Sequence, residues 1–296
     1  MLLQAPKLLN SRIKFAKVSN SLMITYANSK LNARVQRVVD YIKEIYQFRY
    51  LIRSLVKRDF KGNYRHSFLG YLWHVITPAA MIVIYMIVFS TVFGREIDNY
   101  WLYLCSGIFP WHFFISSLGS GTNCMVTHAG MIQKMYFPRE ALIYANAITN
   151  LITFLISYVL VIVLMILTGC HINIWSLLIV PVIIFFESVF VIGLTLALSS
   201  IDVYVRDVSH AIRLITMLWV WVTPVMYLSS INNGALQTIL WVNPMTYFIE
   251  SFHSCVYYGQ IPTLEMISIS FLLAAAAFVA GILIFKRLER GFAERL

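Results

Sequence analysis

Charged residues are scarce in this 296-residue sequence: Asp, Glu, Lys and Arg together make up 12% of it, against about a quarter in a soluble domain. Hydrophobic residues reach 59%, and several uncharged runs exceed ~18 residues, the length that crosses a bilayer as a helix. A basic start followed by an apolar core is missing from residues 1–40, so we expect no secretory signal. The composition indicates an integral membrane protein.

Motifs for nucleotide and metal chemistry are missing as well. There is no GxxxxGK[ST] loop and no Gly-Lys dipeptide, so the chain is not expected to cradle ATP phosphates. The four cysteines show neither CxxC pairing nor histidines at ligand spacing, which predicts no metal site and no cofactor in this chain. Cys170 and Cys255 fit either separate packed thiols or a disulfide on the outer side.

A basic segment precedes the first long apolar run, because residues 1–65 hold 14 of the 23 Lys and Arg residues. Such a flank is typical of the cytoplasmic side of an anionic membrane, and no nucleic-acid partner is expected. Apolar side chains recur at helical spacing from Tyr41 to Leu55, with polar ones on another side. Three regions are predicted: a basic N-terminal extension of unknown role (1–40), an amphipathic interface helix (41–65) and a transmembrane domain (66–296).

Six transmembrane helices are predicted, at about 70–93, 101–128, 141–168, 174–200, 211–228 and 264–285. Residues 234–259 are apolar but broken by Asn243-Pro244, which favours two re-entrant half-helices between spans five and six. With the N-terminus inside, only Arg95 of the 23 Lys and Arg residues falls outside, so both termini are expected in the cytoplasm. The predicted fold class is an all-α membrane protein.

Glu187 is the one acid deep inside a clear predicted span. A carboxylate at mid-membrane is a candidate functional group, and it equally fits a hydrogen bond to a neighbouring helix. The sequence leaves both roles open.

Four segments occur in the order and spacing found in ABC-type polysaccharide exporters: RDFKGNYRHSFLGYLWHVITP (58–78), KMYFPRE (134–140), DVYVRDVSHAI (202–212) and NPMTYFIESF (243–252). Over about residues 41–296 the chain resembles the membrane subunits that move lipid-linked O antigen, capsule or teichoic acid chains. One departure is His253, where many relatives carry Arg. Since an unperturbed imidazole is largely neutral near pH 7, anion contact at this position is in doubt.

The resemblance implies a permease subunit in the bacterial cytoplasmic (inner) membrane that transports and is not an enzyme. It implies a second copy of the chain and two copies of a separate ATPase subunit, which bind ATP and Mg. In such exporters a coupling helix between spans two and three inserts into the ATPase. The predicted ATPase contacts are Met131, Lys134, Met135, Tyr136, Phe137 and Arg139, with Arg206 and Asp207 on the other inner loop. The alternative for residues 131–139 is a membrane-surface turn, and the alternative for Arg206 and Asp207 is a local ion pair.

Aromatic residues make up 15% of the chain, and Tyr and Trp suit a wall that stacks on sugars and hydrogen-bonds their hydroxyls. An interfacial aromatic belt is the simpler explanation for many of them. The predicted glycan channel comprises Tyr85, Trp219, Trp221 and Tyr227, and the predicted outer gate comprises Trp241, Tyr247, Glu250 and His253. Candidates for a lipid phosphate are Lys57, Arg58, Lys61 and Arg65, which attraction to anionic lipid explains equally well.

The predicted function is the transmembrane subunit of an ATP-driven exporter of lipid-linked polysaccharide, with membrane lipids around it. A drug or small-lipid exporter of the same architecture is an alternative that the sequence does not separate. A multispan acyl- or glycosyltransferase would need a poised His or carboxylate pair. The chain has no Asp-x-Asp, and its histidines at 66, 74, 112 and 128 are scattered, which disfavours that class. The glycan and the type of cell envelope are not determined by the sequence.

Overall fold

A computed structural model of the chain describes residues 43, 45–62, 72–92, 99–170, 172–229 and 234–296. The described residues are almost entirely helical and none of them forms a strand, which confirms the predicted all-α class. The predicted extension 1–40 lies outside them, as do Tyr41, Arg65, His66 and Arg95, and for Lys61 only the backbone is described. From Leu51 onward the chain forms one compact unit.

The helices in chain order are α1 Arg49–Gly62, α2 Trp73–Val92, α3 Tyr100–Thr122, α4 Cys124–Thr127, α5 Ala129–Lys134, α6 Glu140–Leu167, α7 Ile174–Leu177, α8 Val180–Asp202, α9 Asp207–Trp219, α10 Gly234–Val242, α11 Pro244–Phe252, α12 Leu264–Leu288 and α13 Phe292–Arg295. Short 3₁₀ turns follow α9 (Val220–Val222) and α12 (Glu289–Gly291), and a π-helical turn follows α11 (His253–Tyr257).

Three helical stretches among the described residues are long and apolar enough to cross a membrane: Glu140–Leu167, Ile174–Asp202 and Leu264–Gly291. They coincide with the third, fourth and sixth predicted spans. Helices α2 and α3 lie at the first and second predicted spans, although α3 already ends at Thr122. The fifth predicted span is shorter than expected, since α9 and its 3₁₀ turn end at Val222. The count of six crossings stays a prediction.

Helix α3 is the centre of the core, and most of its side chains are buried against α2, α6, α8 and α11. Small residues on α3 allow this close packing. A Cβ atom at Gly107 would lie 2.8 Å from the ring of His253, and one at Gly121 would overlap the methyl group of Thr195. Small residues let helices approach each other in this way inside membranes, where burial of apolar surface gives no driving force.

Helices α8 and α12 run side by side in the same direction. The rings of Phe186 and Phe271 meet edge-on with centroids 5.5 Å apart, and further along a Cβ atom at Gly281 would overlap the carbonyl group of Gly193. Just after α8, the hydroxyl of Tyr204 donates to the carbonyl of Leu288, the last residue of α12, at 2.9 Å. The two backbones therefore touch where both helices carry glycine.

The segment between α9 and α12 contains the two short helices α10 and α11, which agree with the predicted pair of half-helices in length. The chain breaks between them because Pro244 has no N–H to continue α10, while the Asn243 side chain caps α11 by accepting from the backbone N–H of Met245. Their entry into the membrane stays a prediction.

Candidate functional site

The predicted docking segment, residues 131–139, comprises the end of α5 and the turn before α6. Its chain leaves the helix at Lys134 and is extended at Met135. Tyr136 is 94% exposed and Met135 57% exposed, whereas Phe137 is only 6% exposed. Phe137 therefore packs into the chain itself, and the apolar surface that this segment offers to a partner consists of Met135 and Tyr136. Lys134 is exposed beside them, and Met131 is half-buried.

The C-terminal end of the docking segment is held by the end of α12. The Arg139 guanidinium donates to the Glu289 carbonyl and lies 5.5 Å from the centre of the Phe292 ring. The next residue, Glu140, is buried and forms an ion pair with Lys286, whose ammonium also reaches Glu289 at 3.2 Å. Arg139 thus stabilises the docking segment through contacts within the chain, so its side chain is not fully available to a partner.

The second predicted contact surface, at the start of α9, is exposed. Arg206 and Asp207 are both exposed and occupy the N-cap and first position of α9. The turn before them is fixed because Asp202 accepts from the backbone N–H of Ser209 at 2.8 Å. Tyr204 in the same turn packs on Phe292, the ring that also faces Arg139. Both predicted contact segments therefore rest on the residues that follow α12.

Of the four predicted channel residues, Trp221 alone presents most of its ring to the surroundings, at 70% exposure. The Trp219 ring packs edge-on against Phe114 at 5.5 Å, and its indole N–H donates to Asn243 at 2.9 Å. The Tyr227 hydroxyl donates to the Trp221 carbonyl at 3.0 Å. Tyr85 lies apart on α2 and packs against the core.

The segment that carries Trp219, Trp221 and Tyr227, here called the aromatic segment, is held in place by the Asn243 side chain. Its amide oxygen accepts from Trp219 Nε1 and from the Met245 N–H, at 2.9 and 3.0 Å. Its amide nitrogen donates to the Val222 carbonyl and to Thr223 Oγ1, at 3.0 and 2.8 Å. All four hydrogen bonds that an Asn side chain readily makes are used. The Asn-Pro dipeptide therefore does more than end α10: it fastens the turn after α9 to α11.

Trp241 and Tyr247, in the predicted outer gate, form a pair: the Tyr247 hydroxyl donates to the Trp241 carbonyl at 3.0 Å and the ring centroids are 5.4 Å apart. Glu250 is buried, and the Ser229 side chain hydrogen-bonds to its carboxyl group. The structure brings these residues to the region between α9 and α12, and their gating role stays a prediction.

His253, the fourth predicted gate residue, is fully buried in a network that the sequence did not reveal. Its ring stacks on Tyr103 with centroids 3.9 Å apart. Nδ1 lies 2.7 Å from Ser106 Oγ, and Nε2 lies 3.0 Å from the Pro224 carbonyl. A carbonyl only accepts, so Nε2 carries the hydrogen of this bond. Both ring nitrogens are engaged inside the chain, which gives His253 a positioning role between α3, the loop after α9 and α11.

Arg58, one of the candidates for a lipid phosphate, is paired inside the chain. Its guanidinium forms an ion pair with Asp59 at 2.8 Å and lies 2.6 Å from Nε2 of His128. Lys57 is exposed on the same helix. Arg58 is thus partnered within the chain yet half-exposed, and Lys57 is exposed beside it.

Cys170 and Cys255 are free thiols in the structure, as are Cys105 and Cys124. Among the described residues no group of three His, Cys, Asp or Glu side chains is placed to hold a metal ion. Glu187 is fully buried on α8, and within the described part of the chain neither of its carboxyl oxygens has a hydrogen-bond partner. Within the described residues, Glu187 therefore makes no hydrogen bond to a neighbouring helix.

Comparison with known proteins places these surfaces in a family context. A family model described as ABC-2 type transporter matches residues 50–257. The chain is 30% identical over 264 residues to the O-antigen export system permease protein RfbA of Myxococcus xanthus, covering 88% of this chain and 100% of that protein. A protein of the same name from Klebsiella pneumoniae is 29% identical over 258 residues, covering 86% of this chain and 99% of that protein. The family match includes the docking segment, the aromatic segment and both short helices.

Proposed function

Because this chain belongs to the ABC-2 type transporter family, a multi-pass membrane family, we propose that it is the transmembrane subunit of an ATP-driven exporter of lipid-linked polysaccharide. Two copies of the chain would form the path, and two copies of an ATPase subunit would drive it. The sequence has no phosphate-binding loop of its own, so ATP and Mg would be bound by the ATPase.

The observation that carries this proposal is the shape of the docking segment. Tyr136 projects with 94% exposure from a turn whose next residues are anchored by Phe137 burial and by Arg139. An exposed aromatic side chain on a fixed backbone is a typical interface anchor, because little conformational entropy is lost when a partner covers it. A plain turn between two membrane helices has no need of it.

The proposed topology has six spans with both termini in the cytoplasm, which puts the docking segment on the cytoplasmic side with the ATPase. The distribution of Lys and Arg supports this orientation. A cysteine introduced at position 134 should then react with an impermeant maleimide only from the cytoplasm, and one at position 232 only from outside. The reverse pattern would refute the docking assignment.

The proposed substrate class rests on two supports. The relatives are named as O-antigen export permeases, and they match nearly the whole chain. The aromatic segment after α9 also offers the exposed Trp221 ring beside Tyr227, a combination that suits stacking and hydrogen bonding to sugars. Alanine at Trp221 should reduce polysaccharide export while leaving ATPase assembly intact. Unchanged export would favour a smaller lipid or drug as cargo.

The decisive experiment replaces the exposed side chains Met135 and Tyr136 and leaves the buried Phe137 unchanged. Met135→Ser with Tyr136→Ser should leave folding intact but release the ATPase subunit during purification in detergent, because an interface hot spot contributes ~2 kcal/mol or more. Export should fall in parallel.

Two control variants accompany it. Tyr258→Ser changes another exposed tyrosine, 48% exposed and remote in sequence, and should retain the ATPase. Phe137→Ser should instead lower the amount of folded protein, since this ring is buried. Retention of the ATPase by the Met135/Tyr136 variant would contradict the coupling assignment.

A further inference from the structure

Helix α6 carries a polar face in the middle of an otherwise apolar membrane-spanning sequence. Asn146, Asn150, Thr153 and Ser157 follow each other three or four residues apart, so they lie on one side of the helix, with Thr149 beside them. Polar side chains within a span are costly in lipid and generally face a partner group or a water-filled cavity. This face therefore needs something polar opposite it.

Helix α3 supplies only part of the complement. Asn146 Nδ2 donates to Ser120 Oγ at 2.8 Å, which joins the two helices at one level. Further along α6, the hydroxyls of Thr153 and Ser157 donate to backbone carbonyls of α6 itself, at 3.3 and 3.0 Å. The Asn150 amide donates to the Asn146 carbonyl at 3.1 Å and to Ser120 Oγ of α3 at 3.4 Å. The two hydroxyls have used their hydrogens within α6, and they offer oxygen lone pairs to the space in front of them.

That space consists of two adjoining cavities that share Asn150. One, of about 190 Å³, lies between α2, α3 and α6 and continues along Thr153 and Ser157. The other, of about 450 Å³, opens between α1, α3 and α6 beside Arg58 and Asp59. We call the two together the α3–α6 groove. Its polar lining follows the helices from α1 toward the middle of the chain's membrane-spanning part.

The first cavity also has aromatic walls. Trp73 and Phe113 line it together with His112 and the α6 hydroxyls. Flat apolar rings next to hydrogen-bonding oxygens and amides match the two surfaces of a sugar ring, its C–H face and its hydroxyl edge. On the other side of the α2–α6 contact lies a purely apolar cavity, lined by Val75, Ile156 and Val159 among others. That cavity suits a lipid chain.

We propose that the α3–α6 groove binds the hydroxyl-rich sugar headgroup of a glycolipid, with the apolar chain held along α2 and α6. The inference rests on the proposed function and deepens it, since it assigns a sugar-binding site within one protomer, apart from the aromatic segment after α9. For a lipid-linked polysaccharide, this groove would hold sugar units near the lipid before or during transfer.

Charge disfavours a bare cation in the groove. Asp59 is the single carboxylate among the groove-lining residues that the structure describes, and it is already paired with Arg58 at 2.8 Å. The only Lys or Arg among those residues is Arg58, at the α1 end, and no Lys, Arg, Asp or Glu among them lines the cavity beside Thr153 and Ser157. A sugar satisfies the hydroxyl and amide groups of that cavity without a charge to desolvate.

The test uses the purified full chain in lipid nanodiscs and two photoreactive probes with the same diazirine-bearing alkyl chain. One probe carries a maltoside headgroup and the other a phosphocholine headgroup. Labelled peptides are identified by mass spectrometry. The maltoside should label peptides of α2, α3 and α6 about fivefold or more in excess of the phosphocholine probe, because each hydrogen bond to the headgroup contributes about two- to tenfold in affinity.

Variants of the groove and matched variants elsewhere separate binding from folding. Ser157→Ala and Thr153→Val should each lower maltoside labelling about two- to tenfold. Ser188→Ala on α8 and Thr216→Val on α9 remove hydroxyls with the same type of bond to their own helix, and they lie outside the groove. These two variants should label like the unchanged chain. Equal labelling by both probes, or no difference between groove and control variants, would overturn the proposal.

Three further outcomes are assigned in advance. Competition by free maltose would indicate a saccharide site without need of the lipid chain, and competition only by unlabelled alkyl maltoside would indicate a glycolipid site; either supports the groove. A groove closed by a second copy of the chain, seen as a cysteine cross-link between two copies at position 116, would overturn it. ATPase retention and export are measured separately, so failure of the groove and failure of the exporter assignment give different results.

Discussion

The α8–α12 contact and the α3–α6 contact are both made by long helices, and they are built in opposite ways. At the first, Gly193 and Gly281 bring two backbones together with no gap between them. At the second, Asn146 and Ser120 hold the helices at one level while polar side chains keep a groove open beside it. Two pairs of long helices in one chain thus form a closed joint at α8–α12 and an open groove beside α3–α6.

The difference lies in which small or polar residue occupies the contact. Glycine offers no side chain and lets van der Waals contact stabilise the pair, whereas Asn and Ser need partners and hold the helices apart by the volume of their side chains. At the end of the joint, the Phe292 ring packs against both Tyr204 and Phe285. The same end of the chain anchors the docking segment through Arg139.

The joint should fail when its glycines gain a methyl group. Gly281→Ala and Gly193→Ala each insert a Cβ atom into a neighbouring backbone, and we expect a loss of about 1–3 kcal/mol or more. Gly119→Ala on α3 is the control, since a Cβ atom there meets nothing within 4 Å. Thermal unfolding in detergent measures the effect. A Gly281 variant as stable as the Gly119 variant would mean that the helices are not in contact.

Loss of the Glu140–Lys286 ion pair, at the end of α12, should have the second largest effect on stability. Lys286→Met leaves the Glu140 carboxylate, 1% exposed, without its cation. Because Lys286 is itself 43% exposed, we expect a loss of about 1–3 kcal/mol, below that of a fully buried pair. Adding Glu140→Gln should restore most of the stability. Arg287→Met, next to it and exposed, should change little. An unrestored double variant would show that the pair does not act as a unit.

The polar contact of α3 with α6 should contribute less than the glycine joint. Asn146→Leu removes the 2.8 Å bond to Ser120, and we expect a loss of about 0.5–1.5 kcal/mol. Ser120→Ala combined with it should cost no more than either change alone, and SDS-induced unfolding of the four proteins gives the coupling. Asn123→Leu, at an exposed position, serves for comparison. Additive losses would mean that the two side chains do not interact.

The smallest change in stability is expected inside the groove. Thr153→Val removes a hydroxyl bonded only to its own helix, so stability should change by about 0.5 kcal/mol or less, as for Thr216→Val on α9. The same unfolding titration checks this. A large loss at Thr153 alone would indicate that its hydroxyl supports helix packing, and the groove would then be part of the core.

Periodicity and charge predicted the all-α class, the positions of the long spans and the break at Asn243-Pro244, because each depends on neighbouring residues in one helix. The surfaces were harder to predict. The pattern KMYFPRE showed that apolar side chains follow α5, but not that Phe137 is buried and Tyr136 is exposed. The contact that holds the end of this segment, from Arg139 to the Glu289 carbonyl, joins residues 150 positions apart.

Long-range partners are the part that a single sequence conceals. The sequence predicts a gate role for His253, but its stacking on Tyr103 and its hydrogen bond with Ser106 depend on another helix, α3. The spacing of Asn146, Asn150, Thr153 and Ser157 is visible in the sequence as one polar face, yet it became interpretable only beside the cavities that adjoin it.

The sequence alone determined that this protein resides in a membrane, that it has no GxxxxGK[ST] loop and that its basic residues concentrate before the first apolar run, because these properties follow from composition and local pattern. The tertiary structure alone decided which side chains are exposed for a partner, which close the core and which line a groove. Those properties depend on the neighbours that folding brings together, and α6 shows it: one face packs against α3, and the next opens onto polar space.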